Sequence, residues 1–344
     1  MEILRVAIIA IIGALAFQWL SFPIPWMLGP LFAVLIAQFF VRKKLVWPPI
    51  LRNIGLVIVG VAIGQAFDLG LFTNLGELLL YMVVINVILI VFCIGLAWVV
   101  HKMVGIPFKT AVASSVPGGL SQFVLFAEEE GDVDLAVVTF YHVIRIVAVV
   151  MFIPFLVSGH IVSEVSAPFT GSWWLFCLLL IIAGASVFIG KRLHLPVPQF
   201  LSPIVFIIIV KLFGVDVPEM PVTILHGAQL LIGAYIGLLL KPHMIKLPLR
   251  VLVGGVASTL AMVGLTYLSS LVIARMLDFS FATSFLSTAP GGLDQMGLLA
   301  SAVGADISVV TVFQLFRLLF IFLVVLPLLK WFYRKRNVIS KEKE

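Results

Sequence analysis

Two arginines, Arg145 and Arg317, each lie about eleven residues into a long run of apolar side chains. If those runs cross a membrane, each guanidinium sits near the midplane. Charge there is costly and marks substrate paths or buried pairs. Thr139, His142 and Arg145 are spaced by three and share one broad helix face, and Thr311, Gln314 and Arg317 repeat the pattern. A guanidinium presents paired N–H donors that match a carboxylate. One chemistry for this arrangement is coordination of a small anionic solute by both arginines. The other is structural, in which they pair with Asp294, Glu128 or helix-end carbonyls.

A second constellation stands just before each arginine helix. Ser115-Val116-Pro117-Gly118-Gly119-Leu120-Ser121-Gln122 recurs as Thr288-Ala289-Pro290-Gly291-Gly292-Leu293-Asp294-Gln295. Proline lacks a backbone donor and glycine favours non-helical torsions, so each Pro-Gly-Gly should break its helix. Unwound backbone at membrane depth is tolerated where it is buried or lines a water-filled cavity. The helix ends it leaves present free N–H groups and partial positive charge. Paired broken helices in inverted halves point to the binding site of a secondary transporter. The structural alternative is a proline kink in packed helices. The expected substrate-binding set is therefore Ser115, Pro117, Gly118, Gly119, Ser121, Gln122 and Arg145, with Thr288, Pro290, Gly291, Gly292, Asp294, Gln295 and Arg317.

Asp294 is the acid of the broken segments, and its repeat partner is Ser121. It could carry a coupling proton or cation, or serve as the permanent partner of Arg317. His142 could titrate near neutral pH, but its counterpart is Gln314, which favours a hydrogen-bonding role. Asp134 and Asp306 precede apolar runs and read as helix N-caps. Glu128, Glu129 and Glu130 read as a solvated loop end. Gly60 with Gly64, and Gly233 with Gly237, form a Gly-x-x-x-Gly in each half, which predicts close helix packing.

The elements that must position these residues come in two sets. Pro23, Pro25 and Pro30 recur as Pro196, Pro198 and Pro203, and the glycine pairs and Pro-Gly-Gly segments keep the same offset. From Pro117 to Pro290 that offset is 173 positions. After a one-residue deletion, Asp134, Thr139 and Arg145 match Asp306, Thr311 and Arg317. A constant offset over most of a chain is the mark of internal duplication. The expected organisation is a first membrane repeat over 1–165, a second over 166–330 and a cytoplasmic tail over 331–344, with a linker within 158–172. Apolar elements are expected at 3–20, 26–41, 50–67, 77–100, 108–129 and 134–157, then at 172–190, 198–213, 222–240, 250–273, 280–301 and 306–329. Five of each six should span about 30 Å of hydrocarbon, although 26–41 and 198–213 are short.

The composition agrees. Of 344 residues, 62% are hydrophobic and 11% charged, against about a quarter charged in soluble domains. The net charge of +6 sits in short tracts between apolar runs, the pattern of cytoplasmic loops. In the first half these tracts are Arg42-Lys43-Lys44 with Arg52, and His101-Lys102 with Lys109. In the second they are Lys191-Arg192, and Lys241 through Lys246 to Arg250. They have moved by one element, so the two halves should be inserted upside down relative to each other. The predicted fold is an all-α polytopic membrane protein of two inverted repeats. Each has about five transmembrane helices plus a broken or re-entrant Pro-Gly-Gly element. Twelve full spans with parallel halves is the alternative, and it puts Lys191, Arg192, Lys241, Lys246 and Arg250 outside. The apolar stretch 6–16 resembles a signal peptide, but its counterpart in the second half argues for a retained helix. Cys93 and Cys177 lie in apolar runs and read as packing residues.

No Walker A sequence, zinc or haem spacing, or nucleophile elbow is found, so no cofactor or metal is expected and an enzyme is disfavoured. The chain has no region suited to nucleic acid. The expected partners are the lipid bilayer and a small-molecule substrate, and a homodimer is compatible with both.

The doubled Pro-Gly-Gly segments, followed by Thr-x-x-x-x-x-Arg helices, resemble those of the bacterial membrane AbrB family, whose hallmark is this duplicated domain. The resemblance covers nearly the whole chain. It implies a multi-pass protein of the bacterial cytoplasmic (inner) membrane, and the charge pattern places both termini in the cytoplasm. Members carry labels as regulators or ammonia monooxygenases, and no catalytic residues are carried over. The residues themselves point to a secondary transporter of a small, anionic solute working by alternating access. The alternative is a membrane sensor that affects gene expression through a partner.

Overall fold

The structure is a computed structural model that describes residues 2–41, 44–68, 70–71, 75–118, 123, 133–157 and 171–331. Gly119, Ser121, Gln122, Glu128 to Glu130, the linker up to residue 170 and the tail from residue 332 lie outside the described residues.

Prolines start many of the helices, because a missing N–H costs nothing in the first turn. Helix α1 spans Glu2–Trp19, α2 Pro25–Phe40 and α3 Pro49–Ala66. Then come α4 (Leu75–Val104), the short α5 (Phe108–Ser115) and α6 (Leu135–Val157). The second half repeats this order with α7 (Trp173–Arg192), α8 (Pro198–Leu212) and α9 (Val222–Gly237). It continues through α10 (Leu249–Met276), α11 (Phe281–Thr288) and α12 (Leu293–Val303). The final helix, α13, runs over Ile307–Trp331 and contains a π turn at Ile321–Val325. Pro327 follows that turn closely; lacking an amide, it cannot continue the regular ladder.

Seven helices are long and apolar enough to cross a membrane: α1, α3, α4, α6, α7, α10 and α13. They mark a multi-pass membrane protein. Only 17% of the apolar window of α7 and 22% of that of α1 is buried inside the protein, against 61% for α6. Thus α6 is central, while α1 and α7 turn apolar side chains outward, as a lipid environment allows. Cys93 is buried, as a packing residue should be, whereas Cys177 is exposed on α7.

One element is shorter than the sequence suggested. Helix α9 ends at Gly237, not near 240, and with 16 residues it joins α2 and α8 among the shorter apolar helices. Gln38 Nε2, from the other half, donates to the carbonyls of Gly237 (2.8 Å) and Leu240 (2.9 Å), and Pro242 opens a 3-10 turn. Among the described residues four helices of the first half (α1, α3, α4 and α6) and three of the second (α7, α10 and α13) are long and apolar enough to cross, so the expected five per half is corrected in both.

The halves interlock through equivalent residues. Gly60 of α3 lies against Phe200 of α8, and Gly64 against Ile207. In the other half, Gly233 of α9 lies against Met27 of α2, and Gly237 against Leu31. Just as Gln38 caps α9, Lys211 of α8 caps α3, donating to Gln65 O (2.8 Å) and Phe67 O (2.7 Å). Gly55 and Ala228, themselves equivalent positions, meet where α3 crosses α9. The expected close packing of both Gly-x-x-x-Gly pairs is what the structure contains. Both expected N-caps are also present. Asp134 accepts from the amides of Ala136 (2.9 Å) and Val137 (3.2 Å), and Asp306 from those of Ser308 (2.9 Å) and Val309 (3.0 Å).

Candidate functional site

Helix α11 stops at Thr288 and α12 begins at Leu293, so the second Pro-Gly-Gly breaks the helix as expected. The backbone between is extended, with Ala289 at φ −57, ψ 134 and Gly292 at φ −76, ψ 148. In the first half α5 stops at Ser115 and Val116 turns extended (φ −68, ψ 124), the same exit from the helix. Gln295 folds back to accept from the amide of Gly292 at 2.7 Å, which caps α12. A side chain on Gly292 would collide with that Gln295 carbonyl oxygen and with Asp294.

Arg317 is bound into the break beside it. Arg317 donates through Nη1 to Ala289 O, and through Nη2 to Gly291 O (2.6 Å) and to Gln314 Oε1. Gln314 Nε2 donates to Leu286 O (2.6 Å) and Ala289 O (3.0 Å). These carbonyls belong to the unpaired end of α11 and its extension, so the pair caps that end. The reading of Arg317 as partner to helix-end carbonyls therefore holds. The pairing with Asp294 does not, because Asp294 instead faces Arg52, with Nη2 3.8 Å from Oδ2.

In the first half His142 takes the place of Gln314. Its Nε2 lies 3.0 Å from Ala113 O, and Arg145 Nη2 lies 2.8 Å from its Nδ1. A carbonyl only accepts, so Nε2 carries the proton and Nδ1 accepts from the guanidinium. Both ring nitrogens are thus used in one neutral tautomer, and a second ring proton would point at the Arg145 donors. This geometry argues against the coupling role expected for His142. Replacing His142 by Gln is therefore expected to leave stability within about 1 kcal/mol of the parent, since Gln314 does the same work. Leu at this position strands the Ala113 carbonyl and the Arg145 donor, at about 1–3 kcal/mol each. Thermal unfolding of the detergent-purified variants checks both values.

The two breaks and both arginines converge on one cavity of about 290 Å³. Its wall brings together nine of the expected residues: Pro117, Gly118, Arg145, Pro290, Gly291, Gly292, Asp294, Gln295 and Arg317. Three others are placed elsewhere. Ser115 is buried and its hydroxyl has no partner, Thr288 bonds back to Ser284 O (3.0 Å), and His142 stands behind Arg145. The wall also contains residues that sequence reasoning missed, chiefly Arg52, Val197, Tyr235, Ile236 and Gln314. Val197 lies in the repeated Pro-x-Pro, and Tyr235 and Ile236 lie between the repeated glycines, so the duplication carried a signal for them. Gln314 shares the face of Arg317 through its spacing of three, and Arg52 follows a basic loop tract, which masks its place in the site.

Three guanidiniums, which stay protonated in proteins, face one carboxylate here. Arg145 and Arg317 are 4% and 7% exposed, while the hydroxyls of Ser114, Ser115 and Ser287, beside the breaks, are buried without partners. Arg145 Nε likewise lacks one. Of these unpaired groups only Arg145 belongs to the cavity wall, where a donor beside two further guanidiniums suits a small anion. Among the described residues no group of three His, Cys, Asp or Glu side chains is placed to hold a metal.

Residues 26–333 match the family described as "Transition state regulatory protein AbrB". The chain is 25% identical to the "Uncharacterized protein YhjN" of Bacillus subtilis (strain 168), covering 93% of this chain and 89% of that one. It is 24% identical to the "Putative regulator AbrB" of Escherichia coli (strain K12), covering 92% of each. With a match over most of its length, this chain belongs to the AbrB family.

Proposed function

We propose that the chain is a secondary transporter of a small anion, bound in the cavity where the two Pro-Gly-Gly breaks meet. The observation that carries this reading is the convergence of Arg145 and Arg317, equivalent residues of the two halves, on one cavity. Site residues supplied by both repeats suit alternating access, in which one bundle rocks against the other about a fixed centre. In this reading the halves are inverted repeats. Supporting this, the basic tracts shift by one element and equivalent positions contact each other reciprocally at Gly55 and Ala228. The elements α5 and α11 to α12 then enter and return rather than cross. The positive loops face the cytoplasm of a bacterial inner membrane, with both termini on that side. The domain division at about residue 165 follows from the same duplication. Asp294 is the carboxylate placed to take part in coupling.

The name of the Escherichia coli relative and the description of the family favour a second reading. The same cavity would sense an anion and signal through a partner protein. Binding without transport distinguishes it.

The test is a thermal-shift screen of detergent-purified protein against inorganic and organic anions, cations and ammonium, with Arg145→Gln as control. An anion at a hundred times its dissociation constant should add about 2.7 kcal/mol to stability. That shift should vanish in the control. Protein shown to be folded that responds to no anion contradicts the reading.

A further inference from the structure

We propose that Arg52 and Asp294 form an exchangeable ion pair that closes the mouth of the cavity, and that an anionic ligand opens it by replacing Asp294 on the guanidinium. The replacement step rests on the anion reading above, but the closure does not.

The three arginines of the cavity are held differently. Arg145 and Arg317 are buried and fixed by acceptors on their own half. The Arg52 side chain is 29% exposed, which places it at the opening. Its contacts are the Asp294 carboxylate at 3.8 Å and the face of Tyr235, with the ring centroid 5.1 Å away. The carboxylate distance exceeds hydrogen-bond range, so no strong bond holds the guanidinium. Stacking on the ring leaves its edge donors free for a better acceptor. Asp294 is only 7% exposed and receives one long contact, from Gln295 Nε2 at 3.3 Å. Its charge balances that of Arg52.

The duplication separates this pair from the rest of the site. Arg145 has Arg317 as its twin, whereas the position equivalent to Arg52 is Leu225 and that equivalent to Asp294 is Ser121. Duplicated residues build the centre, and an unduplicated pair spans one mouth. That pair links three elements: Arg52 in the first turn of α3, Asp294 in the first turn of α12, and Tyr235 between the packing glycines of α9. Separating it removes a polar tie between the broken element and α3, while Gly297 of α12 still packs on Ile63 of α3.

Cysteine accessibility tests the closure without a known ligand. In a Cys177→Ser background, which removes the exposed thiol and leaves buried Cys93, Leu239→Cys places a thiol on the cavity wall. Its modification rate is measured with a neutral methanethiosulfonate and with the anionic sulfonatoethyl reagent. Asp294→Asn should raise both rates about fivefold, as expected for loss of a weak, partly exposed pair. Arg52→Gln should raise the neutral rate but not the anionic one, because it opens the mouth while removing the attraction. Asp294→Ser, the residue of the other half, serves as the second variant, and unfolding curves confirm that each protein is folded. Neutral rates unchanged in all three variants overturn the closure. An anionic rate in Arg52→Gln that rises as much as the neutral one overturns the role of Arg52 in anion exchange. An empty anion screen with faster neutral rates would sink the transport reading and leave the closure standing.

Discussion

Arg317→Gln is expected to lower the unfolding free energy by about 3–5 kcal/mol, because it strands several buried acceptors at about 1–3 kcal/mol each. Arg145→Gln should cost about half as much. The asymmetry follows from what each guanidinium holds. Arg317 bonds to the carbonyls of Ala289 and Gly291 and to Gln314, all in the break between α11 and α12. Its loss leaves those buried acceptors short, at about 1–3 kcal/mol each, partly offset because Gln314 still reaches Ala289 O. The described partner of Arg145 is His142 alone, and its Nε is already unpaired. Both substitutions should abolish anion binding. Denaturant unfolding in a fixed detergent, with anion titrations on the folded fraction, separates the two effects. Equal destabilisation would mean that the first break is bound by its arginine as tightly as the second.

The second large effect is expected at the glycines between the halves. A Cβ on Gly60 would sit 2.6 Å from Phe200 O, and one on Gly233 would collide with Met27 O. Both obstacles are backbone, so the helices must separate to make room. Gly60→Val and Gly233→Val should each cost at least about 3 kcal/mol, the upper end for overpacking. Because Tyr235 and Ile236 lie on the cavity wall, binding should fail with the packing. Gly95→Ala and Gly264→Ala are the controls. Nothing lies within 4 Å of a Cβ at either position, and both are helical, so alanine should be neutral or stabilise by up to about 1 kcal/mol. Size-exclusion profiles and melting temperatures decide the matter, and valine variants as stable as the alanine controls would refute the account of the interface.

Much of this was legible in the sequence because it is local. Proline and glycine fix where helices begin and break, so Pro198 starts α8 and Pro290 ends the α11 region where expected. The cap at Asp306 needs only its own next residues. The duplication added a long-range signal, since a residue that packs in one half tends to pack in the other, as Gly60 and Gly233 do. What escaped was contact between distant segments with no repeated counterpart. Arg52 stands beside a basic tract, and nothing in its neighbourhood reveals that its side chain reaches Asp294, 242 positions away, in place of Arg317. The end of α9 escaped because its cap is distant in sequence, although Lys211 repeats that cap on α3. The Gln38 side chain that caps it comes from the other half.

The most direct test of the central claim is solute counterflow in proteoliposomes, using whichever anion stabilises the purified protein. The wild-type chain should accumulate labelled anion against an unlabelled internal pool, with saturation, and Arg145→Gln should not. An anion that binds through Arg145 yet shows no protein-dependent exchange would contradict transport and leave a sensor as the function of the cavity.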